Sequence, residues 1–531
     1  MTRTCCKKRP VFTMVPAVLA ALSTLFVLVP LIAMFTNVDA DSIRAVFSRD
    51  TLLPVLGNSV AVSGLTTVIS LTLAYLMAWS MERTAISGKK VYRALVTLPM
   101  LIPSVSIGMG VVLLGGNSGI LTELLGLKTG GIYGMTGIVI GSVLYSLPVA
   151  FLMIDNILKL EDSSAYEAAT VLGIPKWKQF TAITLPYLRK PLIVAAFSVF
   201  TLSFTDYGVP LMVGGKCKTL PVVMYQEVIG QLDFGKGCVY GSMLLIPAVA
   251  AFLVDYLNKN NANGSFVTKP FTIRRKFSRD IFATVCAVAV SLVSVLPILS
   301  FIVLAFVKKY PTDMSFSIAN IEKTFRMGGG EYLLNSLLIA LLTSVIGVIL
   351  AVMAAYYTAR TRQRFTRYLH LVSMSVAAVP GVVLGLSYVL LFKGTALYGT
   401  LAILMMVNVV HFFASPYLMM HTSFCKLNPN LESVASTLGV GSFRLLLDEL
   451  LPRCAQTVAE MFSYFFVNCM MTISAVSFLA NTRNKPIALM INQFEAQAQM
   501  ECAAVVSLLI LIANLLVKAA VEIVPQKLRK K

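Results

Sequence analysis

The sequence predicts an all-α polytopic membrane protein of about 12 transmembrane helices, built as two parallel six-helix repeats. Three observations predict it. The chain is 57% hydrophobic and only 13% charged, whereas soluble domains carry about 25% charged residues. Its apolar residues come in long blocks, and a bilayer core takes roughly 20 apolar residues in helical form. Two of those blocks, far apart in the chain, match at one fixed spacing. Only helices or closed barrels satisfy their backbone in lipid, and the short alternating segments of a barrel are missing from the sequence.

The twelve expected spans lie near 11–35, 55–80, 94–114, 133–155, 192–213, 238–257, 281–307, 334–358, 369–392, 396–421, 455–480 and 503–522. The first follows a short basic start, MTRTCCKKRP. It reads as a span and not as a signal peptide, because the apolar stretch is too long and no small-residue cleavage site follows.

A net charge of +20 would suit a nucleic-acid partner, but its distribution speaks against one. With the amino terminus inside, more than two thirds of the 44 Lys and Arg residues fall in inside segments. That bias reports topology and places both termini in the cytoplasm. Membrane lipid is then the partner surface, and no nucleic acid is expected. Nine cysteines are scattered without a CxxC pair, and there are three His; no metal-ligand spacing results. Cys217 and Cys238 both fall on the outer side and are the candidate disulfide pair.

The repeat is read directly. NSVAVSGLTTVISLTLAYLMAWSMERT begins at Asn58, and NSLLIALLTSVIGVILAVMAAYYTART begins at Asn335. This offset of 277 pairs Arg83 with Arg360, Pro103 with Pro380 and Gly108 with Gly385. Six spans per half is an even number, so both halves enter the membrane in the same orientation. The halves are 1–257 and 281–531. The polar, basic segment 258–280 reads as a cytoplasmic linker.

Between the fourth and fifth spans stands EAATVLGIPKWKQFTAITLP, Glu167 to Pro186. The residue pattern favours a short helix with Ser caps near its start, ended at Gly173 in a left-handed conformation. A second short helix then leads to Pro186. The second half carries ESVASTLGVGSFRLLLDELLP, Glu432 to Pro452, at an offset of 266. Gly439, Leu451 and Pro452 keep the pattern. Ser433 stands where Glu167 would fall, with Glu432 adjacent, and Glu449 replaces Ile183.

This pattern resembles the EAA loop of ATP-binding-cassette importer permeases. Glu167, Ala168, Ala169, Gly173, Ile183, Leu185 and Pro186 fill every position of the family pattern, and Glu432, Ala435, Gly439, Leu451 and Pro452 form the degraded second copy. The loops span 161–190 and 427–456. The resemblance covers nearly the whole chain and looks most like the fused permeases for ferric iron and for 2-aminoethylphosphonate. It implies the type I importer fold, a bacterial cytoplasmic (inner) membrane location, and loops that insert into two copies of an ATPase subunit. It also implies an extracytoplasmic substrate-binding protein as partner, and alternating access as the mechanism.

The sequence contains no Walker A pattern G-x-x-x-x-G-K-[ST], so ATP and Mg are expected on a separate ATPase, with no cofactor on this chain. No nucleophile–base pair stands out, so no catalytic residue is assigned. The rival class is an ion-gradient-driven 12-helix secondary transporter, which also has parallel halves; the EAA loops argue against it.

For a solute path, Asp206 is a carboxylate near the outer end of an apolar span, and such a residue is a functional candidate. The 266 offset pairs it with Thr472 and pairs Gly208 with Ser474. Asp206, Tyr207, Thr472 and Ser474 are the path candidates. The alternative for Asp206 is a helix-end carboxylate bonded locally. Gly-rich SIGMGVVLLGG, from Ser106, reads as a surface for close helix approach.

Overall fold

The computed structural model describes residues 10–48, 50–117, 119–126, 132–259, 269, 271–273, 275–361 and 364–528. Residues 260–268, 270 and 274 of the linker assigned to 258–280 lie outside the described residues. Among those described, nine helices are long and apolar enough to cross a membrane, or eleven if each of two bent pairs is one span. The chain is an all-α polytopic membrane protein. Its one described sheet is a small antiparallel hairpin, Val307–Lys309 with Asp313–Phe316, which hydropathy did not foretell.

Two expected spans end early. The fifth, placed at 192–213, stops as a helix at Thr205. The eleventh, placed at 455–480, is a helix of 17 residues, Ala455–Met471. In both, the next residue is extended: Asp206 at φ −75°, ψ 129° and Thr472 at φ −67°, ψ 129°. These residues are equivalent at the 266 offset. Hydropathy ran through both breaks because the residues after them, VPLMV and ISAVSFLA, are as apolar as a helix.

The packing separates the chain into two compact units. One comprises Met1–Ser42, Gly328–Met490 and Leu509–Lys531; the other comprises Ile43–Met327 and Ile491–Leu508. Each unit therefore holds one sequence half with its own first span missing and the other half's first span in its place. In one unit the Pro10–Thr36 helix packs on the Arg364–Ser375 and Gly381–Phe392 helices. The Thr24 and Tyr368 hydroxyls lie 2.7 Å apart, and the Tyr388 hydroxyl donates to the Phe26 carbonyl at 2.8 Å. In the other unit the Phe277–Ala305 helix packs on Ser104–Gly115 and on Leu52–Arg83. A Cβ on Gly110 would lie 2.6 Å from Pro297 Cβ, and one on Gly108 would lie 2.8 Å from Met212 Cβ. The Gly-rich run serves close approach, since only a residue without Cβ fits at these contacts.

The repeated Asn-Ser pairs have one shared use. Asn58 and Asn335 donate through Nδ2 to the Lys218 and Arg483 carbonyls, each at 3.2 Å. Ser59 and Ser336 accept from the Leu220 and Ile487 amides at 2.8 and 2.7 Å. Each pair thus ties the loop after a broken span to the start of the long helix of its own unit. Backbone groups freed by the break are satisfied by side chains, as burial demands. Cys217 and Cys238 are not joined in a disulfide.

Candidate functional site

Both loops that carry the sequence motif have the same build. In the first, the Ser164–Val171 helix ends at Gly173, φ 68°. In the second, Leu431–Thr437 ends at Gly439, φ 72°. Ile174 N–H reaches back to the Ala169 carbonyl at 2.9 Å and Val440 N–H to the Ala435 carbonyl at 2.8 Å. These bonds close the last turn around a left-handed residue, a conformation that costs glycine little. Short helices follow, Lys176–Gln179 and Ser442–Leu445, and then one widened π-type turn, Phe180–Thr184 and Leu446–Leu450. The expected separate second helix is thereby continuous with the fifth span, Lys176–Thr205. The expected Ser cap is also absent: Ser163 makes no side-chain cap bond, and Asp162 instead accepts from Ser164 N–H at 2.9 Å.

Within each loop, one motif alanine is buried and the tip is open. Ala169 and Ala435 are seated against the protein. Val171 is 88% exposed, Leu172 75%, Trp177 66%, Leu438 72% and Phe443 64%. Ala168, Leu185 and Pro186 are exposed, whereas Ile183 and Leu451 are partly covered and Pro452 is exposed. Large apolar side chains exposed together beside polar ones mark an interaction surface.

The two arginines paired by the repeat hold the loop bases. Arg360 forms a two-pronged bond to Glu432, 2.6 Å to each oxygen, and donates to the carbonyls of Phe424 at 3.3 Å, Leu427 at 3.1 Å and Asn428 at 2.7 Å. Arg83 pairs with Glu161 and donates to the Leu158 carbonyl at 3.0 Å. Glu432 therefore does not stand in for Glu167. Its equivalent at the 266 offset is Tyr166, whose hydroxyl bonds Glu161 and lies 2.6 Å from Thr184 Oγ1. Glu167 points elsewhere, with its side chain 49% exposed. The ammonium of Lys269, 2.6 Å away, holds its carboxyl below the usual range.

Lys269 falls within the expected linker, 258–280, and the described residues Lys269 and Phe271 lie on this loop. Ser163 N–H donates to the Lys269 carbonyl at 3.0 Å, Phe271 meets the Tyr166 ring edge-on at 5.1 Å, and Arg83 stands 3.7 Å over the Phe271 ring. Sequence reading paired Arg83 with Arg360 but gave them no task. The signal was their shared place as the last residue of each long helix.

The path candidates sit in different units. Asp206 and Tyr207 belong to one, Thr472 and Ser474 to the other. Asp206 accepts from Val209 N–H at 3.0 Å, from Gly208 N–H at 3.3 Å and from the Ser104 hydroxyl. Its carboxylate thus caps the short helix Gly208–Val213 and remains half-buried. Tyr207 is buried and stacked on Tyr225 at 4.9 Å. Thr472 is buried, and Ser474 is half-buried against Gly381. The equivalent contact inside each unit has its glycine and serine exchanged. A Cβ on Gly208 would lie 2.3 Å from Ser104 Oγ, and one on Gly381 would lie 2.4 Å from Ser474 Oγ. Among the described residues, no three His, Cys, Asp or Glu side chains group to hold a metal.

Comparison with known proteins matches the chain twice to one family, described as binding-protein-dependent transport system inner membrane component, over residues 70–264 and 347–530. The chain is similar to a putative ferric transport system permease protein, FbpB 1, of Haemophilus influenzae, 27% identical over 86% of this chain and 76% of the relative. It is also similar to the ferric transport system permease protein FbpB of Actinobacillus pleuropneumoniae, 26% identical over 86% and 70%. The thiamine transport system permease protein ThiP of Escherichia coli is 26% identical over 72% of each chain. These relatives are transport subunits and not enzymes. The double match coincides with the two repeats, each carrying one loop of the same build. The chain thus belongs to the binding-protein-dependent transport system inner membrane component family, as a multi-pass, fused two-repeat permease of an ATP-binding-cassette importer that works with an ATPase and a substrate-binding protein.

Proposed function

We propose that this permease imports ferric iron by alternating access, with each exposed loop seating one copy of the ATPase and both loops and both termini in the cytoplasm. ATP and Mg are held by the ATPase. Its closure draws the loops together, and the repeats open outward to a loaded binding protein; hydrolysis resets them. The observation that carries the coupling role is that both loops share one rigid build with an apolar tip. The ferric permeases named above carry the cargo reading. None of the relatives named above is a phosphonate permease, so 2-aminoethylphosphonate now rests on sequence resemblance alone. Asp206, Tyr207, Thr472 and Ser474 are retained as path residues, with Asp206 the charged one; a carboxylate favours a hard cation.

In the coupling role, Glu167, Ala168, Gly173, Leu185 and Pro186 lie on the open side of the first loop, and Gly439 and Pro452 on that of the second. Ala169, Ala435, Ile183 and Leu451 seat the loops, and Glu432 acts within the loop base through Arg360. The first loop presents a carboxylate, Glu167, while the second has spent Glu432 on its own clamp. Gly173 and Gly439 have similar φ and open space around them, so Gly173→Asp and Gly439→Asp strain the loops alike. Gly173→Asp is expected to lose more ATPase in pull-down at matched permease levels than Gly439→Asp. Equal losses would remove the asymmetry, and no loss from either would remove the docking role.

A further inference from the structure

We propose that His411, with Asn408 one turn before it and Ser474 beside it, forms a second solute-contact node, suited to a metal cation that carries its own water or hydroxide ligands. The proposal rests on the importer reading above and adds residues and a ligand chemistry to it.

Three chain breaks meet in this unit. The helices Phe365–Ala378 and Gly381–Phe392 are bent by 110°, Leu401–His411 and Ala414–Lys426 by 51°, and Ala455–Met471 ends at Thr472. They are in contact: a Cβ on Gly381 would lie 2.4 Å from Ser474 Oγ and 3.0 Å from His411 Nε2. Broken helices within a bilayer persist where protein or a wet cavity satisfies the freed backbone. Transporter solute sites are commonly built from such breaks.

The side chains at this junction are out of keeping with a purely structural joint. Asn408 and His411 interrupt the apolar run LAILMMVNVVHFF. Three residues apart on one helix, they share a face. Asn408 Oδ1 and His411 Nδ1 are both buried without a hydrogen-bond partner, which is costly and calls for an explanation. His411 as a residue is half-buried. An ionisable side chain at this depth is a functional candidate.

The first repeat sharpens the contrast. There the equivalent junction is closed by Asp206, which takes three hydrogen bonds from Ser104, Gly208 and Val209. The second repeat has Thr472 and Gly381 in the places of Asp206 and Ser104, and it leaves His411 Nδ1 and Asn408 Oδ1 without a partner. With the ring proton on Nε2, toward Ser474, Nδ1 is an acceptor like Asn408 Oδ1. Two acceptors without fixed charge suit a donor-rich solute such as an aquated metal ion; the imidazole is in addition a metal ligand.

The test uses proteoliposomes holding permease and ATPase, with iron-loaded binding protein, and reads initial uptake of radioactive iron and stimulated ATP hydrolysis at matched protein levels. His411→Leu is expected to lower uptake about tenfold. His411→Asn, whose amide falls near Nδ1, should retain more uptake than His411→Gln, whose amide falls near Nε2. Uptake by all three variants equal to the parent protein's would overturn the node. So would equal loss in all three accompanied by an equal drop in thermal stability, which is the mark of a packing residue. If the unmodified permease imports another solute and no iron, the cargo reading and the metal assignment fall together. The same variants measured on that solute then decide separately whether His411 is a contact.

Discussion

Arg360→Ala is expected to abolish ATPase capture by the second loop and to destabilise its unit by about 2 kcal/mol or more, because removing one partner strands the other. The Arg360 side chain is 5% exposed, and its guanidinium binds Glu432 and three backbone carbonyls at once. Those carbonyls end the Ala414–Lys426 helix and open the loop. Without the fork, Glu432 loses its partner and the loop base loses its fixed entry angle. Glu432 is 28% exposed, so water recovers part of the loss. Arg360→Lys should restore little, since one ammonium cannot span a carboxylate and several carbonyls. Pull-down of the ATPase and thermal unfolding in detergent check this. Parent-like values for Arg360→Ala in both would show that the clamp is idle.

Gly110→Leu is expected to prevent the Phe277–Ala305 helix from seating. Its Cβ would stand 2.6 Å from Pro297 Cβ, 3.0 Å from Pro297 Cα and 3.3 Å from the Phe301 ring. The nearest atoms include backbone, so the contact cannot be relieved by a side-chain swing. Overpacking of this kind costs about 1–3 kcal/mol where the site can still adjust, and a leucine here asks for more adjustment than an alanine. Gly57→Leu is the control, because nothing lies within 4 Å of that position and it is exposed on the Leu52–Arg83 helix. A sharp fall in melting temperature for Gly110→Leu with little change for Gly57→Leu is the expected pair of results. If Gly110→Leu melts like the parent protein, the first span of the second half does not pack where the structure places it.

What the sequence made legible follows from what hydropathy and spacing can encode. Long apolar runs must be helices in lipid, so the spans were located, and a fixed offset is visible without any fold. Gly173 and Gly439 were legible because a left-handed residue after a short helix selects glycine. Four features were not legible. The breaks at Asp206 and Thr472 are flanked by apolar residues on both sides, and a hydropathy window averages over them. The first spans, Pro10–Thr36 and Phe277–Ala305, pack with the opposite sequence halves, and periodicity names a buried face without naming its partner. Glu432 lies one residue from the motif register, which on a helix turns a side chain by about 100°; the structure turns it to Arg360, where Glu167 turns outward. His411 passed unnoticed because a lone His in an apolar run gives no spacing signal, and only its unpartnered nitrogen singles it out.

The central claim is that solute movement through this chain is driven by an ATPase seated on its two loops, and one measurement tests it most directly. The permease, its ATPase and loaded binding protein are placed in proteoliposomes, and initial uptake is followed with ATP inside and no ion gradient, then with an ion gradient and no ATP. The account predicts uptake in the first condition, none in the second, and loss of the first when the ATPase is left out. Uptake that persists on the gradient without ATP or ATPase would contradict it and would mark a gradient-driven carrier with parallel repeats.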